Sequence, residues 1–348
     1  MLACVIGALS TPAAAPAGVT TFPLPTPFST PLAITRGPDG AVWFTEIGTN
    51  TIGRITADGL LKEFQFQPYF GEAMQDFNGI TAGPDGALWF TETNINWIGR
   101  VTTAGAFRHF LVRDPDQDPE DPYIPGTRPT GITTGPDGAI WFGQEYGNRI
   151  ARLDPATGKV TDYYQFPVEG WPRLLQAITT GPDGALWFTE GGSNSIGRLT
   201  TSGSLTEYPI PTPLSAPGGI TTGPDGALWF TEAIGRIGRI TTSGAVREFR
   251  VRSADADPLS ITVGSDGALW FTEQHAGRIG RITTAGEISE VDVGPGPKEI
   301  ASGGDGALWF TDNDAIGRIT TDTPPSSGGC DRGKGHGRHR GYRHKKHC

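Results

Sequence analysis

The chain has 348 residues, 51 of them glycine and 29 proline, with 36% hydrophobic residues and a formal net charge of −9. No apolar run approaches the roughly 20 residues a membrane-spanning helix needs, and no long 3.6-residue apolar period argues for an α-rich fold. The residues before Asp331 hold 21 basic and 36 acidic side chains, a body of net charge −15 that repels nucleic acid and favours cations.

The chain opens on an apolar stretch, Met1 to Leu9, followed by Ser10-Thr11-Pro12-Ala13-Ala14-Ala15-Pro16-Ala17. Residues 1–17 read as the end of a secretory signal with small residues for cleavage, which places the protein outside the cell or at its envelope. The next segment, Val19-Thr20-Thr21-Phe22-Pro23-Leu24-Pro25, resembles Leu205-Thr206-Glu207-Tyr208-Pro209-Ile210-Pro211 but precedes any complete unit. It is an orphan outer strand.

From there to residue 321 one unit repeats. Trp43, Trp89, Trp141, Trp187, Trp229, Trp270 and Trp309 recur at spacings of 46, 52, 46, 42, 41 and 39 residues, which is the length of a propeller blade. The fifth unit reads as four strands. Gly219 to Thr222 is strand a, and Pro224-Asp225-Gly226 a tight turn. Ala227 to Thr231 is strand b, Ile237 to Thr241 strand c and Ala245 to Phe249 strand d. The seventh unit stops after strand c, at Thr320. The orphan strand therefore completes the seventh blade, and the sequence predicts an all-β, seven-bladed β-propeller of four-stranded antiparallel blades, closed over residues 18–321 by its N-terminal strand.

Alternating strand directions put the start of strand a, the end of strand b and the d-to-a connections on one face, here called upper. Residues present in every blade read as structural. The acids ending strand b, Glu46, Glu92, Glu190, Glu232, Glu273 and Asp312, either bridge the repeated arginines of Ile-Gly-Arg or ring the mouth and bind a divalent cation. Glu190, Glu232, Glu273 and Asp312 are the metal candidates. Departures from the repeat point to a ligand. Asn78 and Gln176 open strand a in their units, and Gln144 with Glu145 stands where other units have Glu. Three consecutive long connections carry Tyr69, Phe70, Met74, Phe77, Tyr123 and Trp171, read as an aromatic lip. Asn78, Gln144, Glu145, Gln176 and Trp171 are accordingly expected to line a site for a small-molecule or peptide-like ligand. The acids Asp114, Asp116, Asp118, Glu120 and Asp121 lack the glycine and terminal glutamate of an EF-hand and read as a solvated loop.

Beyond a Pro-Ser-Gly linker, residues 331–348 hold seven Lys or Arg and four of the six histidines, bracketed by Cys330 and Cys348. The 322–348 segment cannot bury a core. It reads as a basic arm for an anionic cell-wall polymer, with transition-metal binding through its histidines or simple solubilisation as alternatives. No nucleic acid and no membrane span are expected, and the closed ring reads as a monomer.

The string Gly-Ile-Thr-Thr-Gly-Pro-Asp-Gly-Ala-Leu-Trp-Phe-Thr-Glu at 219–232, with Ile237-Gly238-Arg239-Ile240-Thr241 and Glu207-Tyr208-Pro209-Ile210-Pro211-Thr212-Pro213, resembles the virginiamycin B (streptogramin B) lyases over residues 19–321. The resemblance implies a seven-bladed propeller that opens a cyclic depsipeptide by elimination across a C–O bond. A histidine would take the proton and Mg²⁺, or another divalent cation, would stabilise the developing charge. It places Pro-His at the last two strand-a openings, which here read Pro258-Leu259-Ser260-Ile261 and Pro297-Lys298-Glu299-Ile300. The family's two glutamates fall on Gly296 and on Asp312 or Asn313. Lys298, Glu299, Asp312 and His275 are the remaining catalytic candidates, and Glu299 and Asp312 are expected to raise the Lys298 pKa. Three functions stay open: a lyase-like enzyme, a non-catalytic binding propeller and a metal-dependent lactonase-type hydrolase.

Overall fold

The computed structural model describes residues 18–65, 76–113, 127–146, 148–166 and 173–321. Its strands form seven four-stranded antiparallel sheets. Strand β1 (Val19–Pro23) comes first, and blade 1 follows as β2 (Pro31–Arg36), β3 (Val42–Glu46), β4 (Thr51–Ile55) and β5 (Leu61–Gln65). Blades 2 to 6 repeat this order. Blade 7 has three strands of its own between 300 and 319, and β1 supplies the fourth, pairing Val19 with Ile319 and Pro23 with Ala315. The seven blades and the N-terminal closure are as the repeat implies.

The repeated residues hold each blade together through one clamp. The aspartate of the Gly-Pro-Asp-Gly turn accepts the indole N–H of the blade's tryptophan on one oxygen, at 2.9–3.2 Å. Its other oxygen accepts the Nε–H of the Ile-Gly-Arg arginine at 2.6–2.8 Å. The guanidinium lies over the same tryptophan ring in six blades, adding a cation–π contact. Burial alone would lift each of these aspartates, yet in Asp225 the bonds from Trp229 and Arg239 outweigh it and hold the carboxyl below its usual range. The arginines therefore do not bridge to the strand-b glutamates, which lie at the far end of the strand. That expectation is corrected: the turn aspartate is nearer along the strand and already charged.

Two glycines show how the repeat is constrained. Gly226 closes the turn at φ +71°, where a side chain is strained. Gly238, between Ile237 and Arg239, has no room for a Cβ, which would overlap the Phe230 ring. The tryptophan side of each blade packs on the phenylalanine side of the next. Trp43, Ile52 and Phe64 of blade 1 thus share a core with Leu88, Phe90 and Val101 of blade 2. Trp309, with Phe22 and Leu24 from the N-terminal segment, shares one with Val42, Phe44 and Ile55 of blade 1.

Threonines of strand b stitch neighbouring blades together. Thr189 Oγ1 accepts the Ala177 N–H of its own blade and donates to the Gly218 carbonyl of the next. Thr231 and Thr272 donate likewise, and Thr311 donates across the closure to Leu32 O at 2.9 Å. Blade 3 has Gly143 in place of this threonine, and Thr130 supplies the hydroxyl instead, donating to Leu175 O. The strand-a openings carry a register shift in blades 1, 3, 4, 5 and 6, as between Pro217 and Ile220. Such bulges re-aim side chains, and here strand a starts one or two residues earlier than the sequence suggests.

Two outcomes test this frame. Deleting residues 19–25 removes the outer strand of blade 7 and takes Phe22 and Leu24 out of the core shared with blade 1, so the truncated chain should aggregate; a monomer with unchanged melting temperature by scanning calorimetry would refute the closure. Asp225→Ala strands the Trp229 indole and the Arg239 guanidinium, and denaturant unfolding should show a loss of about 1–3 kcal/mol.

Candidate functional site

Backbone bonds fix the upper face. The N–H groups just after strand b donate to the d-to-a connections, as in Ile47 to Thr30, Glu145 to Arg128, Ala233 to Ala216 and Gln274 to Asp257. Those connections are held in unusual geometry. Phe28, Leu174 and Leu214 all have φ between 49° and 60°, a region costly for residues with a Cβ. Phe28 and Leu214 are also the most exposed large apolar side chains described, at 81% and 86%. With Tyr146, Leu174 and Ile234, also exposed, they give the upper face an apolar rim.

Inside the rim the strand-a openings enclose a channel cavity of about 290 Å³, lined by Leu32, Asn78, Gln176, Leu259 and Glu299 among others. Asn78 and Gln176 are exposed there, in the place the sequence suggests. Glu145 also lies on the upper face, half-buried and 3.4 Å from the Arg128 guanidinium. Gln144 does not reach the mouth: it is fully buried and its amide donates to Asp162 at 2.8 Å. Phe77 is likewise no part of a lip, being buried edge-on against Phe90. Trp171, Tyr69, Phe70, Met74, Tyr123, the acids of 114–121, both cysteines of the tail and the tail itself lie outside the described residues.

Lys298, Glu299 and Asp312 come together at blade 7. The Lys298 N–H donates to Thr311 O and the Glu299 N–H to Thr311 Oγ1, which turns the two side chains opposite ways. Lys298 is half-buried, and that burial lowers its pKa although Asp312 and Asp314 pull it up. The expected upward shift is thus reversed, because desolvation outweighs the neighbouring acids and because Glu299 turns into the channel instead. Protein surrounds Glu299 even where the channel wets it, and the desolvation pushes its carboxyl up to about 7 against a hydrogen bond from Ser260. Asp312 is also raised, by burial, against the Asn313 N–H and Lys298. His275 sits apart, its side chain 67% exposed and 3.4 Å from Asp257.

Sequence reasoning missed the character of the strand-b acids. Glu46, Glu92, Glu190, Glu232 and Glu273 are all fully buried, each at the upper end of strand b in its own blade. Each faces the strand-d residue that pairs with the glycine of Ile-Gly-Arg: Glu63, His109, Glu207, Glu248 and Glu290. Burial, then the facing acid's charge, raises Glu46 and Glu232 to about 8 and Glu273 to about 7. The signal in the sequence was the acid at the same place in most strands d. Glu190, Glu232, Glu273 and Asp312 do not converge, and among the described residues no group of three or more His, Cys, Asp and Glu is placed to hold a metal.

The Mg²⁺ implied by the resemblance fits poorly at blade 7. Gly296 offers no ligand, and a Cβ there would press on Asn313 and Asp312, 2.9–3.1 Å away. The remaining acid, Asp312, is already neighboured by the Lys298 ammonium. No step through a metal is derived for this site.

The buried acids give a pH signature. Their ordinary pKa is 4.5, and in the fold Glu232 holds its proton up to about 8. The folded chain thus binds more protons than the unfolded one across that interval, and stability falls as pH rises through it, levelling off above about 8. Glu232→Gln removes this contribution, so its melting temperature should fall less than the parent's between pH 5 and pH 8; an identical slope would refute the assignment.

The model of the virginiamycin B lyase family matches residues 6–120, 72–293 and 233–326. A solved streptogramin B lyase is 39% identical, with 87% of this chain and 97% of that one covered and a TM-score of 0.78. A catalytically inactive His-to-Ala variant of the Staphylococcus aureus virginiamycin B lyase, solved with quinupristin, is also 39% identical, with 87% and 98% covered and a TM-score of 0.77. Kuenenia stuttgartiensis hydrazine synthase shares the fold alone, at 14% identity over 85% and 97% of the two chains, with a TM-score of 0.68. No curated protein sequence matches.

Proposed function

The chain belongs to the virginiamycin B lyase family, and from that membership we propose that it binds a cyclic, peptide-like ligand over the channel mouth without the family's histidine-dependent elimination. One observation carries this reading. The two strand-a openings where the resemblance places histidines hold Leu259 and Lys298. The two histidines among the described residues lie elsewhere, His109 against the buried Glu92 and His275 beside Asp257.

Binding itself keeps its supports. The exposed apolar side chains Phe28, Leu174, Leu214 and Ile234 share the upper face with a polar mouth carrying Asn78, Gln176 and Glu299, apolar surface beside a few polar groups to fix orientation. The inactive S. aureus variant was solved with quinupristin, so in that relative a ligand accompanies a site without its histidine. Export to the cell exterior, with the 322–348 arm on an anionic wall polymer, rests on the sequence of the two ends.

A second reading is favoured by Lys298 alone. A half-buried lysine with a lowered pKa is the usual form of a lysine general base. In that reading its neutral Nζ takes the proton α to the carbonyl, the C–O bond breaks as the C=C forms, and the freed carboxylate leaves with the electron pair. The chemistry then asks for a lysine and no histidine.

The experiment is titration of the full chain with quinupristin by calorimetry, followed by chromatography and mass spectrometry of the recovered antibiotic. Saturable binding with the ring intact is the expected result. A linear product of unchanged mass, lost in Lys298→Met, would replace it with the lysine reading. A product heavier by one water would mean hydrolysis, and absence of binding would overturn the proposal.

A further inference from the structure

Blades 1 to 6 bury an acid or its amide at the end of strand b, blade 7 half-buries Asp312 there, and among the described residues six blades set a basic side chain beside it. These are His109 on Glu92, Arg149 opposite Gln144, Arg173 on Glu190, Arg236 near Glu232, Arg278 near Glu273 and Lys298 near Asp312. Blade 1 departs from this. Thr51 stands opposite Glu46, where blades 5 and 6 have Arg236 and Arg278. No basic group bears on the Glu46 carboxyl, which feels Glu63, Ser29 and Thr49. The segment that follows β5, residues 66–75, contains no Lys, Arg or His. Among the described residues, two carboxyls thus share one pocket with no counter-charge.

The oxygens around them have only poorly aligned contacts with one another. Both Oε atoms of Glu46, Oε1 of Glu63, Oγ of Ser29 and Oγ1 of Thr49 are buried without a hydrogen bond of normal geometry. Ser29 and Glu46 are 0% exposed, and the Ser29 and Thr49 hydroxyls lie close enough to Glu46 to draw its pKa down against the burial. Ser29 is aimed there by its neighbours, since Phe28 and Thr30 both take positive φ. Leaving a buried polar atom without a well-aligned partner is costly, and five in one place call for something to coordinate them.

The position matters as much as the donors. Ser29 lies in the connection from β1 to β2, the joint at which the closing strand hands over to blade 1. Thr26 of the same connection donates to Glu63 Oε2 at 2.9 Å. Glu46 ends β3, Thr49 lies in the turn to β4, and Glu63 is in β5. An ion held here ties the joint to three strands of blade 1.

We propose that Glu46, Glu63, Ser29 and Thr49 form a calcium site at the joint that closes the ring, independent of any ligand at the channel mouth. Five oxygen donors of unequal kind suit calcium, which accepts six to eight oxygens in irregular geometry and completes its shell with water. Magnesium demands a near-ideal octahedron at shorter distances. The two carboxylates balance a divalent ion, as the arginines balance the acids of blades 4 and 6.

The test uses the full chain, freed of metal with chelator and then titrated with calcium chloride, reading heat of binding and melting temperature. The expected result is saturable binding that raises the melting temperature, as any ligand of the folded state must. Glu46→Gln and Glu63→Gln should each bind one calcium fewer and lose the thermal increment, while Glu190→Gln in blade 4 keeps both. Glutamine is accommodated at this place in blade 3, as Gln144, so Glu46→Gln should fold. If it does not, Ser29→Ala removes one donor without changing charge and should move the calcium midpoint up by about tenfold. Unchanged stoichiometry and midpoint in these variants, a preference for magnesium, or no calcium binding by the parent chain would each overturn the proposal.

Discussion

The aspartate that joins an indole to a guanidinium is the constraint on which this molecule is built. In blade 5, Asp225 receives Trp229 on one oxygen and Arg239 on the other. It thereby ties the a-to-b turn to strand b and strand c at once. The tryptophan cannot then rotate, and its ring becomes a fixed wall for the next blade. From that wall follow the position of the neighbouring phenylalanine, the glycine that must lie over its ring and the pitch at which blades succeed one another. Charge-assisted bonds are stronger than neutral ones, and here each is backed by a buried aromatic surface.

The clamps all sit toward one end of the blades, which leaves the other end free to vary. At that upper end the same strands carry buried glutamates in place of satisfied aspartates. Among the described residues their oxygens make no hydrogen bond of normal geometry in blades 1, 5 and 6, and their pKa values are raised by desolvation and by a second acid. One end of each blade is thus electrostatically settled and the other is not. The strained connections lie over the unsettled end, with Phe28 and Leu214 turned outward and Ser29 and Ser215 turned inward between residues of positive φ. Strain of this kind persists where surrounding structure enforces it and is commonest at functional surfaces.

The channel mouth illustrates how small differences in repeat position become chemistry. Lys298 and Leu259 occupy equivalent openings, yet one is a half-buried cation between Asp312 and Asp314 and the other an apolar wall. Glu299, one residue on, turns into the channel and holds a proton up to about 7. The bulged start of strand a lets consecutive residues face different surroundings. A family fold can therefore keep its frame and lose or replace its chemical groups by single substitutions, because the frame rests on the clamp and the threonine stitches.

The sequence by itself determined the architecture, because a unit repeated seven times with a missing last strand and a spare first one admits one closed solution. It also determined that Asn78 and Gln176 open onto a common mouth, since strand direction alone places them. It could not decide partners. The repeated arginines and glutamates are complementary on paper, but only the tertiary structure showed the arginines spent on turn aspartates one strand-length away. Gln144, read as lining a ligand site because it departs from the repeat, proved buried because a departure can compensate an inner neighbour such as Asp162. The sign of the Lys298 shift depended on desolvation, which has no signature in the order of residues. The bare acid pair of blade 1 was visible only once Thr51 stood opposite Glu46 in register, because an absent counter-charge is a property of a place in space.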